Sequence, residues 1–330
     1  MIPRTTTSWQ QQLSEAFTRV EDLFAYLEIP GKLMPQAQRA SRDFALRVPR
    51  NFASQMEKGN PEDPLLLQVL PRAEELIEYP GFITDPVGDQ DRSKAPGVLQ
   101  KYDGRILLIA TGACGVHCRY CFRRHFLYGE SNAGKDQWGE SLGLLSRSPD
   151  TREIILSGGD PLTLSDTRLA SLVEALNEIP HLERLRIHSR LPVLVPERIT
   201  GEMVDWLTLG RLQPILVFHV NHPRELSERV TDALAPLRAR GVTLLNQAVL
   251  LRGVNDSPDT LCDLSEVLFS SGILPYYLHM LDPVKGSGHF DIPEAKAKHL
   301  LNMVRRRLPG YLVPRLVRET AGAPSKTPLL

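Results

Sequence analysis

The chain has 330 residues, 42% hydrophobic and 24% charged, enough for one large α/β domain with a modest extra layer. Lys+Arg and Asp+Glu each number 39, so no net field draws DNA, RNA or an anionic membrane. No apolar run approaches spanning length, Met1-Ile2-Pro3-Arg4-Thr5 opens without an apolar signal core, and four cysteines do not make a disulfide framework, so a cytoplasmic protein is expected.

Residues 1–95 read as a helical extension broken by prolines and glycines, with helices expected near 9–17, 20–27 and 36–44. Asp85-Pro86-Val87-Gly88 through Ala95-Pro96-Gly97 reads as a linker. From Arg105 short apolar runs alternate with amphipathic ones. Strands are expected at 106–110, 153–156, 184–188, 215–220, 243–249 and 274–278. Helices are expected near 137–145, 165–176, 197–207, 225–239, 258–269 and 293–307. Such alternation gives a parallel sheet with helices outside. Six units suggest an α/β fold of the open, partial TIM-like (βα)6 kind, although a doubly wound sheet would read much the same. A further apolar run at 311–317 leads to a turn-rich tail, dividing the chain into 1–95, a barrel at 96–318 and a tail at 319–330. Polar or glycine residues follow nearly every strand, as a catalytic barrel mouth requires.

Three cysteines fall within eight positions, in Cys114-Gly115-Val116-His117-Cys118-Arg119-Tyr120-Cys121. The C-x3-C-x2-C loop directly follows a strand and can curl three thiolates around one centre. Iron–sulfur clusters are held by cysteine thiolates, usually four. Three leave one iron of a [4Fe–4S] cluster open to an exchangeable ligand. The competing reading is structural zinc, which normally takes four protein ligands. His117 could in principle be the fourth, but it lies inside the loop beside Cys118, where closing a tetrahedron is awkward, and no second C-x2-C exists. Cys262 lies in a helical pattern and reads as a small buried hydrophobe.

The cysteine motif resembles that of the radical S-adenosylmethionine superfamily, and Gly158-Gly159-Asp160 resembles its glycine-rich contact with the methionine amino group. Cys121-Phe122-Arg123-Arg124, Ser157-Gly158-Gly159-Asp160-Pro161-Leu162, Asn221-His222-Pro223, residues 246–256 and Lys326-Thr327-Pro328 together resemble lysine 2,3-aminomutases, from about Pro96 to Pro328. Arg186-Ile187-His188-Ser189-Arg190-Leu191-Pro192 and the early C-terminus look like the short branch of that family.

The resemblance implies an isomerase that converts L-lysine to (R)-β-lysine with a [4Fe–4S] cluster, S-adenosylmethionine and pyridoxal 5′-phosphate. It implies an electron donor, and a functional link to elongation factor P and its lysyl-ligase. Cys114, Cys118 and Cys121 would hold the cluster. Gly158, Gly159, Asp160, His219 and Gln247 would contact S-adenosylmethionine. Lys326 would carry pyridoxal phosphate, with Lys101, Tyr102 and Arg105 around its phosphate, cations and a phenol suited to a dianion. Arg123 would pair with the substrate carboxylate, and Asp282 with Glu319 would hold its far ammonium. Glu319 stands where longer members have Asp, His279 where they have Tyr, and Lys101 where they have Arg. Without the resemblance, Lys326 would read as a solvated tail lysine and His219 as a core histidine. The competing functions are a radical enzyme that uses no pyridoxal phosphate and a zinc-binding interaction module.

Overall fold

The structure is a computed structural model and describes residues 8–129 and 138–330. The opening Met1–Thr5 reading and the expected helix start at Gln137 lie outside the described residues.

Ten strands form one sheet in chain order: β1 (Ser93–Ala95), β2 (Val98–Tyr102), β3 (Arg105–Thr111), β4 (Glu153–Gly158), β5 (Arg184–Ser189), β6 (Gln213–His219), β7 (Thr243–Val249), β8 (Leu274–His279), β9 (Arg315–Arg318) and β10 (Thr327–Pro328). From β3 to β9 every neighbour is parallel. β1 and β2 add antiparallel at one edge and β10 at the other. The sheet is therefore open, a partial TIM-like barrel of six strand–helix units with a seventh parallel strand. That seventh strand takes up the end of the 311–317 run, whose start is the single helical turn Gly310–Leu312.

The helices follow their sequence signals. Ser165 and Ser257 accept from the third residue of Asp166–Asn177 and Pro258–Ser270, satisfying an amide that has no partner within the helix. The expected 225–239 helix is broken into Glu228–Ala233 and Ala235–Ala239, because Pro236 lacks an N–H and its ring crowds the preceding turn. Cys262 is buried, as its apolar neighbours imply.

Strand parity positions the site. Leu156, Ile187, Phe218, Ala248 and Leu278 pack into the main core under the helices. Ser157, His188, His219, Gln247 and His279 alternate with them and lie on the inner face at the carboxyl ends of five adjacent strands.

The 85–97 stretch is not a free linker. Ile83 bridges Val284, with Ile83 N–H donating to the Pro283 carbonyl at 2.9 Å. Asp89 is 1% exposed, and Ser93–Ala95 joins the sheet. Proline and glycine mark where this segment turns, but its anchor is a carboxylate whose cationic partners stand far along the chain.

Candidate active site

The cysteine loop leaves the end of β3 and is tied to the N-terminal extension. Arg119, fully buried, forms a fork on Glu75 (Nε–Oε1 2.8 Å, Nη2–Oε2 2.6 Å), and Arg124 reaches the same carboxylate at 2.9 Å. The Arg119 backbone N–H donates to the Gln68 carbonyl at 2.9 Å. His117 turns away from the thiols: its Nδ1 meets the Ala45 carbonyl at 2.9 Å and its ring stacks on Phe44. The histidine that zinc would need is thus engaged elsewhere. Burial pushes the Cys114 thiol well up and the Cys121 thiol to about 11, with neighbouring thiols adding to both.

Gly158 and Gly159 also serve a contact within the protein. A Cβ on Gly158, whose φ is +116°, would lie 2.6 Å from the Thr111 carbonyl, and one on Gly159 2.2 Å from that of Ala113. Their first task is to let β4 approach the backbone that enters the cysteine loop. Gly159 and Asp160 donate their N–H groups to the Thr111 and Ala113 carbonyls, both at 2.8 Å. The Asp160 side chain has a structural task of its own. Its carboxylate accepts from Ser189 Oγ (2.7 Å) and from the N–H groups of Leu162, Arg190 and Leu191 (3.0, 2.8 and 2.9 Å), so it fixes the β4 and β5 ends against each other.

His219 ends β6 against Tyr120, with rings stacked at 15° and Tyr120 Oη 2.9 Å from Nε2. The Tyr120 oxygen accepts from Arg190 Nη1 and Asn221 Nδ2, both at 2.7 Å, and its own hydrogen has two acceptors, His219 Nε2 at 2.9 Å and Gln68 Oε1 at 3.4 Å. The shorter contact is the one to Nε2, which puts the proton of His219 on Nδ1. Burial, reinforced by Arg190, pulls the imidazole down to about 3 and keeps it neutral. Gln247, half-buried, is its register partner on β7.

The other half of the lumen is a polar seam between the two sheet edges. Lys326, in the turn before β10, is folded back: its Nζ lies 2.5 Å from Glu319 Oε2 and 5.8 Å from the Tyr277 ring centre. Tyr102 Oη donates to Glu319 Oε1 at 2.6 Å. Lys101 Nζ lies 2.7 Å from Asp89 and 3.6 Å from Glu319. Arg105 lies 4.6 Å over the Tyr102 ring. Arg123 donates to Asp89 Oδ2 at 2.7 Å and to Ser157 Oγ at 3.2 Å. Asp282, recessed here, finds no side-chain hydrogen bond or ion pair among the described residues. Burial pushes it up to about 7, although Lys326 pulls the other way. His188 and His279 are held neutral by burial, with Lys326 adding to both.

The structure thus gathers Lys101, Tyr102, Arg105, Arg123, Asp282, Glu319 and Lys326 around one seam. Asp89 is the residue that sequence reasoning missed; its only signal was an acid inside a stretch read as linker. His188 is another, with Nε2 buried and unpartnered on the inner face of β5.

Residues 108–264 match the Radical SAM superfamily. The L-lysine 2,3-aminomutase of Escherichia coli (strain K12) is 48% identical over 97% of this chain and 94% of its own length. That of Haemophilus influenzae is 45% identical over 99% and 96%. That of Clostridium subterminale is 33% identical over 98% of this chain but 77% of its own length. The chain belongs to the lysine 2,3-aminomutase family. It is a radical S-adenosylmethionine isomerase, and the family's cofactors are a [4Fe–4S] cluster, S-adenosylmethionine and pyridoxal phosphate. Three thiols stand on one loop, and the Lys326 amine shares Glu319 with Lys101 and Tyr102, whose ring lies under Arg105.

Among the described residues no helix is long and apolar enough to cross a membrane.

Proposed function

We propose that this aminomutase converts free L-lysine to (R)-β-lysine at the lumen between the cysteine loop and the β2–β9 seam, and that the product serves modification of a lysine on elongation factor P. The observation that carries the lumen assignment is Lys326 itself. A lysine four residues from the chain end is folded in, paired and set among the charged groups that a diamino acid and a phosphate would need. The elongation factor link is supported by near-complete coverage of the short Escherichia coli and Haemophilus influenzae relatives, set against 77% of the longer clostridial one.

The bound cofactors supply a carbon-centred radical and an aldehyde that condenses with amines. Everything else is positioning. Cys114, Cys118 and Cys121 hold the cluster, and the Glu75–Arg119 fork keeps their loop in place. His219 presents Nδ1–H, and with Gln247 and the Gly158–Gly159 backbone it borders the S-adenosylmethionine space. Lys326 gives an amine that a substrate amine can replace. Arg123, oriented by Asp89, offers its outer guanidinium face to the substrate carboxylate. Asp282 and Glu319 take the far ammonium, which selects lysine over neutral amino acids. The seam and the 85–97 segment cover the lumen and exclude water from reactive species.

The test is anaerobic incubation of reconstituted protein with L-lysine, dithionite and S-adenosylmethionine, followed by chiral analysis. β-Lysine of R configuration is expected. Absence of any β-lysine from protein carrying full cluster and pyridoxal phosphate overturns the reading. Full S-adenosylmethionine cleavage without a pyridoxal absorbance would favour the radical enzyme lacking that cofactor.

A further inference from the structure

Arg190 follows β5 and is 6% exposed. Its Nη1 donates to Cys118 Sγ at 2.9 Å and to Tyr120 Oη at 2.7 Å. Its Nη2 donates to Gln68 Oε1 at 2.6 Å and to Glu225 Oε2 at 2.9 Å. Glu225 alone would balance the charge of this guanidinium. The fork instead divides, one arm to the carboxylate and the other to sulfur. Among the described residues Cys118 is the one motif cysteine that receives a charged side-chain donor. The position is fixed from every side. Asn221 Nδ2 bonds the same Gln68 and Tyr120 oxygens at 2.9 and 2.7 Å. Glu225 Oε1 is held by the N–H groups of Asn221 and His222, both at 3.0 Å. Both Nη groups of Arg190 are engaged, one of them on sulfur, while its Nε–H is buried without a partner among the described residues, so the guanidinium is held by its two outer nitrogens and by the carboxylate it faces.

We propose that Arg190 is a positioning residue that sets the reduction potential of the cluster through Cys118. The proposal rests on the assignment of the three cysteines as cluster ligands. One-electron reduction adds a negative charge without a proton, and part of that charge falls on the ligating sulfurs. Arg190, a buried cation hydrogen-bonded to one of them, stabilises the reduced form more than the oxidised form and raises the potential. Through Tyr120 the same cation also bears on His219, so the cluster sulfur and the S-adenosylmethionine side of the lumen share one hydrogen-bonded hub.

The experiment is an anaerobic redox titration followed by electron paramagnetic resonance, on reconstituted protein without lysine. R190Q is expected to keep its iron and sulfide. At the parent's midpoint its reduced fraction relative to oxidised should be at least tenfold smaller, a shift of about 59 mV to the negative for a one-electron couple. R190K, which keeps a cation without the fork, should lie between. R190Q leaves Glu225 unpaired, so R190Q/E225Q serves as the second variant: it removes that buried charge and should still titrate below the parent. A parent-like potential in every variant that holds a full cluster overturns the proposal. So does loss of the cluster from all three, which would make Arg190 a folding element alone. A parent protein that never takes up iron and sulfide would instead sink the cysteine assignment beneath it.

Discussion

The two halves of the lumen are built differently. Around Cys118 the charges are paired with partners that no ligand has to displace: Arg119 on Glu75, Arg190 on Glu225, Asp160 on four donors, with the Nε–H groups of Arg124 and Arg190 left buried without a partner among the described residues. Across the lumen the charges are paired in ways a ligand must undo. Lys326 occupies Glu319, Lys101 and Arg123 share Asp89, and Asp282 stands recessed with its pKa raised. The first region is a preformed seat. The second exchanges partners when lysine and cofactor enter, and each exchange sets a released ion pair against a new one.

The sharpest way to break this comparison is at the seat. Cys118→Ala should abolish the iron–sulfur absorbance and all S-adenosylmethionine cleavage, because two thiols do not hold the cluster. Cys262→Ala, buried in a helix away from the loop, should leave iron and sulfide content unchanged. Full cluster in the first variant would refute the assignment.

At the seam, Lys326→Ala should abolish lysine turnover and covalent attachment of pyridoxal phosphate while leaving the cluster and its reduction intact. Borohydride reduction and peptide mapping of the parent should put the pyridoxyl group on Lys326. A label on another lysine would show that the folded-back tail serves only to pair Glu319. Asp282→Asn should be next in size. Losing one partner of a buried charge pair costs about 3–5 kcal/mol, so kcat/KM for lysine should fall by roughly two orders of magnitude or more, with both cofactors retained. Unchanged lysine kinetics would place the ammonium elsewhere.

The same contrast governs what the sequence revealed. The strand–helix units were legible because parity and period are local: alternation put Ser157, His188, His219, Gln247 and His279 at strand ends on one face. The cysteine loop was legible because its spacing is itself the chemistry. Lys326 was reachable only by resemblance, since a lysine before Thr327-Pro328 carries no local sign of being folded in. Asp89 and Arg190 escaped because each acquires meaning from partners more than 30 residues away in sequence, Arg123 and Glu225 respectively. The glycines were found with an incomplete reason. Gly158 and Gly159 were expected to admit a ligand, and they first admit the Thr111–Ala113 backbone, a contact that depends on the register of β3 and β4.

The smallest expected effect is a pH dependence, and it isolates Asp282 within the seam. A carboxyl normally ionises near 3.8, and burial raises this one to about 7 in the ligand-free protein. Because the folded-state pKa is raised, the proton stays on in the native protein as pH rises from about 4, and stability falls across that window up to about 7. Lysine binding runs the other way. Its far ammonium needs the ionised form, so binding must expel the proton below pH 7 and need not above it. The affinity for lysine should therefore rise with pH, at most tenfold per unit, and level off above about 7. Asp282→Asn carries no titrating proton, so its affinity should be weaker and flat across the same range. Glu319 is the other carboxylate of the pair. In the ligand-free protein Lys326, Tyr102 and Lys101 hold it below the usual carboxylate range against the upward pull of burial, so a step that remains in Asp282→Asn would point to Glu319 once Lys326 has left it. Equilibrium binding of lysine to the pyridoxal-loaded protein, in the absence of reductant, reads this without interference from turnover. A pH step that persists in Asp282→Asn would assign the titrating group to another residue.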